Sequence, residues 1–210
     1  KELCIRQQSY AARMRKHFHL HPELSGREFE TVGAIAAELD AIGVPYEVIP
    51  DGGILGWIET GSDDGPCVLL RADCDALPVQ EAECNGTGKR EYISTRPGIA
   101  HMCGHDAHTA MLLGAAKVLS QNKDKLHGKV KLLFQPAEEN YGGAERLCAT
   151  LILEEYRVKA VFGLHIWPGL EKGVVFSREQ ELMSRSSELT VDIYGKSSHI
   201  AKASEGLDAT

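Results

Sequence analysis

No apolar run in this 210-residue chain approaches the ~20 residues that a membrane-spanning helix requires, which argues against a membrane partner. Basic blocks are missing too. The 23 Lys and Arg stand against 30 Asp and Glu, for a net charge of -7, which argues against nucleic acid as a partner. The opening Lys1-Glu-Leu-Cys4 lacks the apolar core of a signal peptide. The six cysteines, at 4, 67, 74, 84, 103 and 148, show none of the spacing of a disulfide framework, so reduced thiols in a cytoplasmic protein are the simpler account. With 43% hydrophobic and 25% charged residues the composition is that of an ordinary globular protein, long enough for one large domain or for one domain and part of another.

Against that plain background, Ala100-His-Met-Cys-Gly-His-Asp-Ala-His-Thr109 packs three histidines, a cysteine and an aspartate into ten residues. A thiolate from Cys103 and an imidazole from His105 suit a borderline-soft divalent ion, and Gly104 between them permits the tight turn that aims both inward. Two ligands do not complete a site. Three other segments offer donors: Leu70-Arg-Ala-Asp-Cys-Asp-Ala-Leu-Pro78, Phe134-Gln-Pro-Ala-Glu-Glu-Asn140 and Gly163-Leu-His-Ile-Trp-Pro168. Taken singly, Asp73 and Asp75 would read as turn residues, Glu138 and Glu139 as a solvated pair, and His165 as an ordinary hydrogen-bonded histidine.

Position changes that reading, because each segment follows a short apolar run that predicts a buried strand: 67–70, 130–134 and 160–164. Helical patterns lie between them, over 109–121 with Thr109 as the expected N-cap and over 143–155. Alternating strands and helices predict an α/β fold with an at least partly parallel sheet covered on both faces. Ligands collect at the carboxyl ends of strands in such sheets, so Asp73, Asp75, Glu138, Glu139 and His165 are expected to converge.

In order along the chain, these motifs resemble the M20 metallopeptidase and amidohydrolase family, in its aminoacylase-like branch of hippurate hydrolases and auxin-amino-acid hydrolases. The resemblance rests on Arg15-Lys-His-Phe-His-Leu-His-Pro-Glu-Leu-Ser25 with Glu28 and Thr31, the Arg-Ala-Asp-x-Asp-Ala-Leu-Pro box at 71–78, the Cys-Gly-His-Asp-x-His box at 103–108, Gln135-Pro-Ala-Glu-Glu139 and His165-Ile-Trp-Pro168. It implies a three-layer α/β/α zinc-peptidase-like catalytic domain followed by a smaller α+β lid and dimerisation domain. Residues 1–184 would form the first part of the catalytic domain and 185–210 the start of the lid.

The resemblance also implies roles. Cys103, His105, Glu139 and His165 would ligate two divalent ions, zinc or manganese, with nickel or cobalt compatible with the same donors. Glu138 would be the general base acting on a metal-activated water, and Asp75 would orient a ligand or the base. Asp73 stands where other branches carry a metal-binding His. His199, in Gly195-Lys-Ser-Ser-His-Ile-Ala-Lys202, would donate to the oxyanion from the lid, across a homodimer in the full-length protein. Its surroundings depart from the family, with Ser197-Ser198 where a Gly pair is usual. His17, His19 and His21 read as structural support, His108 as a capping or supporting group and His127 as a turn residue.

Two further departures carry expectations. The polar, Gly-rich stretch 81–96 reads as either a mobile loop by the site entrance or a solvated insertion. The end at Thr210 is short of the family's length, so the chain is expected to be a fragment or truncated product. Residues 188–194 alternate as a first lid strand. The implied reaction is hydrolysis of the amide bond of an N-acyl amino acid, with a di- or aminopeptidase and a catalytically inactive metal-binding fragment as the alternatives.

Overall fold

A computed structural model of the chain describes residues 2–49, 53–140, 142–150, 152–183 and 189–209. They fall into two compact units, Lys1–Pro168 and Gly169–Thr210. The first unit begins with helices α1 (Glu2–Arg6), α2 (Gln8–Leu20) and α3 (Phe29–Ile42). Strands β1 (Tyr46–Val48), β2 (Ile54–Ile58) and β3 (Ser62–Asp73) follow, then the short hairpin β4 (Cys84–Asn85) and β5 (Gly88–Lys89). Helix α4 (His105–Ser120), strand β6 (His127–Gln135), helices α5 (Gly143–Ala149) and α6 (Ile152–Glu155) and strand β7 (Val158–Gly163) complete it.

Five strands form one sheet in the order β1-β2-β6-β3-β7. The inner pairs β3–β6 and β3–β7 are parallel, while β1–β2 and β2–β6 are antiparallel. The period-two alternation of a strand sends its side chains to two faces. Ile54, Ile58, Ala72, Leu132 and Phe134 meet Tyr10, Met14 and Phe18 of α2, Ile35 and Leu39 of α3, and Leu112, Leu113 and Ala116 of α4 in the larger core. Leu55, Leu69 and Leu133 point the other way, against Leu147 of α5 and Ile152 of α6. The expected three-layer α/β arrangement is therefore present, with the sheet mixed and its three parallel strands together.

Several local expectations are revised. Helix α4 starts four residues before the expected cap, with Gly104 in the N-cap position, and Thr109 spends its hydroxyl on the carbonyl of Asp73 at 2.9 Å. The helix predicted over 143–155 is two short helices. Residues 189–194 form no strand. An extended segment becomes one only by exchanging backbone hydrogen bonds with a neighbour, and in the second unit the nearby pairing is an isolated antiparallel bridge between Lys196 and Leu207.

The polar stretch after Glu81 is anchored. Glu81 is buried, accepts the backbone N–H of Ser94 at 2.7 Å, and sits 3.0 Å from His19 Nε2 and 3.3 Å from Arg90. His19 in turn places Nδ1 2.9 Å from Asp106 Oδ2, tying that loop and α2 to the first turn of α4.

Candidate metal centre

Because β3, β6 and β7 run parallel, their carboxyl ends open on one edge, and each delivers polar residues there. Asp73 ends β3 and Asp75 follows it, Glu138 and Glu139 follow β6, and His165 follows β7. The fourth contribution is the start of α4. Gly104 has φ +99°, a conformation that glycine accepts freely, and a Cβ there would fall against the Ile166 side chain. The turn therefore admits only glycine, and it places Cys103 and His105 on either side of the bend.

His105 is fully buried. Its Nδ1 lies 2.9 Å from the carbonyl oxygen of Asp75 and 3.1 Å from Oδ1 of the same residue. Both partners only accept, so Nδ1 carries a proton and Nε2 is the nitrogen turned toward the cluster. That Nε2 has no hydrogen-bond partner among the described residues, and neither does the buried Glu139 Oε1. The two orphans lie 3.7 Å apart, and Nε2 is 3.7 Å from Asp73 Oδ2 and 3.9 Å from Glu138 Oε2.

These separations exceed hydrogen bonds but match two donors sharing an ion at roughly 2.0–2.2 Å each. Cys103 Sγ stands 3.3 Å from His165 Nε2 as a second donor pair, and Cys103, His105 and His165 offer atoms within 4.8 Å of one another. The donor set is thus one that divalent ions fit.

Charge supports the same conclusion. Four carboxylates, from Asp73, Asp75, Glu138 and Glu139, surround His105, and Arg71 is the guanidinium at hand, donating to Asp73 Oδ2 at 2.8 Å. Burial pushes the Cys103 thiol up, and the nearby charge of Glu139, with a hydrogen bond to it, of Glu138 and of Asp73 carries it further, to about 12. A thiolate at this position needs positive charge beside it. Burial would also raise Asp73, but the His108 hydrogen bond and the His105 and Arg71 charges more than reverse this, holding it at about 2. Burial raises Glu138, whose side chain is 42% exposed and so reaches both solvent and the cluster.

Asp75 supports the pair of glutamates as well as His105. Its Oδ2 accepts from Ser25 Oγ at 2.7 Å and from the Glu139 backbone N–H at 2.9 Å, which fixes where the Glu138-Glu139 dipeptide starts. Glu28 acts one step further out. Its Oε1 accepts the Ala137 N–H at 2.7 Å, holding Ala137 at φ +53°, a left-handed conformation that turns the chain directly before Glu138.

Neither contact was legible as a pairing in the sequence. The only signal was Glu28 standing in the first motif. Also unforeseen was His101, which is buried, has no hydrogen-bond partner for either ring nitrogen among the described residues, and is lowered to about 4, chiefly by burial.

The structure thus gathers Asp75, Cys103, His105, Glu138, Glu139 and His165 into one cluster. His199 belongs to the second unit. Its Nδ1 accepts the Ala201 N–H at 3.2 Å at the start of a 3-10 turn, and its ring is exposed. His17 on α2 and His21 just past its end bring their rings within 5.1 Å of each other, tilted by 55°. No helix among the described residues is long and apolar enough to cross a membrane.

The profile of peptidase family M20/M25/M40 matches residues 69–207. The chain is 42% identical over 196 residues to IAA-amino acid hydrolase ILR1-like 4 of Arabidopsis thaliana, covering 93% of this chain and 42% of that protein. It is 42% identical over 198 residues to the N-acetyl-L-cysteine deacetylase of Bacillus subtilis, covering 93% and 45%.

Among solved structures, the Bacillus subtilis YXEP protein, described as a dinuclear metal binding peptidase from the M20 family, superposes with a TM-score of 0.70 at 38% identity, over 77% of this chain and 44% of that one. A putative aminohydrolase from methicillin-resistant Staphylococcus aureus gives 0.77 at 36% identity, over 84% and 46%. The chain therefore spans slightly less than half the length of these relatives.

Proposed function

Since the chain belongs to peptidase family M20/M25/M40, we propose that it is a metallohydrolase whose substrates are N-acyl amino acids, cleaved at the amide bond. The observation that carries the reading is the pair of orphaned buried atoms, His105 Nε2 and Glu139 Oε1, beside Cys103, His165 and the half-exposed Glu138. Relatives named for IAA-amino acids and for N-acetyl-L-cysteine support the acyl-amino-acid class.

In this proposal Cys103, His105, Glu139 and His165 hold two divalent ions, zinc or manganese, with nickel and cobalt compatible. Bound there, the ions supply Lewis acidity that polarises the amide carbonyl and lowers the pKa of water toward ~7. Glu138 accepts the proton of the attacking water and returns it to the leaving nitrogen, a task that a carboxyl raised by burial suits. Asp75 fixes the His105 tautomer. His199 donates to the oxyanion from a lid beginning near residue 185, and the lid forms a homodimer. The proposal places the protein in the cytoplasm, supported by six cysteines that lack the spacing of a disulfide framework.

A dipeptidase or aminopeptidase activity is the second reading, favoured by the peptidase description of the Bacillus subtilis structure. Assays of hippurate-type substrates against dipeptides, with and without added Mn²⁺ or Zn²⁺, separate the two. Glu138→Ala is expected to abolish turnover while metal stays bound. Metal loss on that substitution would mean the roles of Glu138 and Glu139 are exchanged, and metal binding without turnover of either substrate class would leave an inactive metal-binding chain.

A further inference from the structure

His108 lies outside the ligand set, yet it is buried against it. Its Nδ1 is 2.6 Å from Asp73 Oδ1, and its Nε2 is 2.9 Å from the backbone nitrogen of Ile166. The second contact settles the proton. A backbone N–H can only donate, so Nε2 accepts, and the hydrogen resides on Nδ1, where Asp73 receives it. Both ring nitrogens are thereby used, and neither is available to an ion.

The residue held by this contact matters because of its neighbour. Ile166 follows His165, whose ring packs against the His108 ring at 4.6 Å between centroids and whose Nε2 faces Cys103 Sγ at 3.3 Å. The segment after β7 is otherwise exposed, with Leu164, Ile166 and Trp167 all substantially open to solvent. An exposed loop does not by itself hold a side chain to within a fraction of an ångström, and a metal ligand requires that precision.

We propose that His108 is a positioning residue, a neutral imidazole protonated on Nδ1 that links Asp73 at the end of β3 to the Ile166 N–H and so holds His165 opposite Cys103. The inference deepens the metal-centre reading above and rests on it for its consequence, but the link itself exists without an ion. Asp73, standing where a ligand was a candidate, serves on this account as the acceptor that sets the His108 tautomer, with Arg71 occupying its second oxygen.

Two substitutions divide the ring's functions, since an Asn amide nitrogen reaches about as far as Nδ1 and a Gln amide as far as Nε2. His108→Asn keeps the donor to Asp73 and leaves the Ile166 N–H unanswered. His108→Gln supplies an acceptor for Ile166. Hydrogen exchange of the Ile166 amide is expected to be slow in the parent and in His108→Gln, and at least ten-fold faster in His108→Asn. Titration with Co²⁺, followed by the sulfur-to-cobalt charge-transfer band of Cys103, is expected to show ~10–100-fold weaker binding in His108→Asn and near-parental binding in His108→Gln.

Equal exchange rates in all three proteins, or equal losses of cobalt affinity in both variants, would overturn the proposal. A parent chain with a protected Ile166 amide but no Cys103-dependent cobalt band would instead defeat the metal-centre reading and leave the link standing. Should both variants unfold, the ring ¹⁵N shifts of His108 in the parent decide, and a protonated Nε2 sinks the assignment.

Discussion

Asp75 Oδ1 lies 3.1 Å from His105 Nδ1, and the carbonyl oxygen of the same aspartate lies 2.9 Å from the same nitrogen. One residue thus grips the imidazole twice, and the grip leaves Nε2 with only one direction, toward Glu138, Glu139 and Asp73. The other carboxylate oxygen of Asp75 holds the Glu139 N–H, so a single side chain sets the relative placement of two donors that are 34 residues apart in the sequence.

Replacing Asp75 with Asn is expected to weaken metal binding by about 10–100-fold, the usual cost of losing the carboxylate behind a ligating histidine. Isothermal titration with Zn²⁺ checks this. An unchanged affinity would show that His105 is held by the Asp75 backbone oxygen alone.

Gly104→Ala is expected to damage the same centre by a different route. The backbone at φ +99° costs a non-glycine residue about 1–2 kcal/mol, and the new methyl group would displace Ile166 and with it the His165 segment. Thermal unfolding should report the first effect and Cys103-dependent cobalt absorbance the second. Retention of both at the parental level would refute the close approach of α4 to that segment.

The buried His19 carries a pH dependence. Its hydrogen bond with Asp106 raises its pKa, burial opposes that, and the Asp106 charge and the Glu81 contact add to the rise. A folded-state pKa above the unfolded value near 6.5 means the stabilisation is complete below about pH 6.5 and lost as pH climbs through the folded value. The difference in melting temperature between the parent and His19→Gln should therefore be largest at pH 6 and narrow as pH rises. A gap that widened with pH would reverse the sign of this account.

Leu113→Ala probes the core under the site. Leu113 is fully buried on α4 among Phe18, Leu39 and Ala72 of the same cluster, and truncation should cost about 2–5 kcal/mol in denaturant unfolding. A loss below ~1 kcal/mol would mean that α4 does not pack as described.

Much of this molecule is readable without coordinates, for a physical reason. Buried parallel strands read as apolar runs, so 67–70 and 130–134 identified themselves, and parallel strands ending at one edge bring whatever follows them together. The run at 160–164 marked a strand but not a buried one: β7 lies at the edge of the sheet, with Val161, Phe162 and Leu164 exposed. The start of α4 was misplaced because Thr109 satisfies every local criterion for a cap, whereas the observed start uses the left-handed Gly104 and frees Thr109 for the Asp73 carbonyl. The Gly-rich stretch after Glu81 looked unattached because its anchors, His19 and Arg90 on Glu81, are a matter of burial that polar composition does not reveal.

By itself the sequence determined which donor types exist and that they would meet at the carboxyl edge of a sheet, since both follow from residue identity and local periodicity. Tertiary structure alone decided how each donor is held: the proton on His105 Nδ1, the lone pair of His108 given to Ile166, and Glu28 reaching across 109 residues to bend the chain at Ala137. Such choices depend on hydrogen bonds only about 3 Å long between groups far apart in the chain, and no pattern along a sequence encodes a distance of that kind.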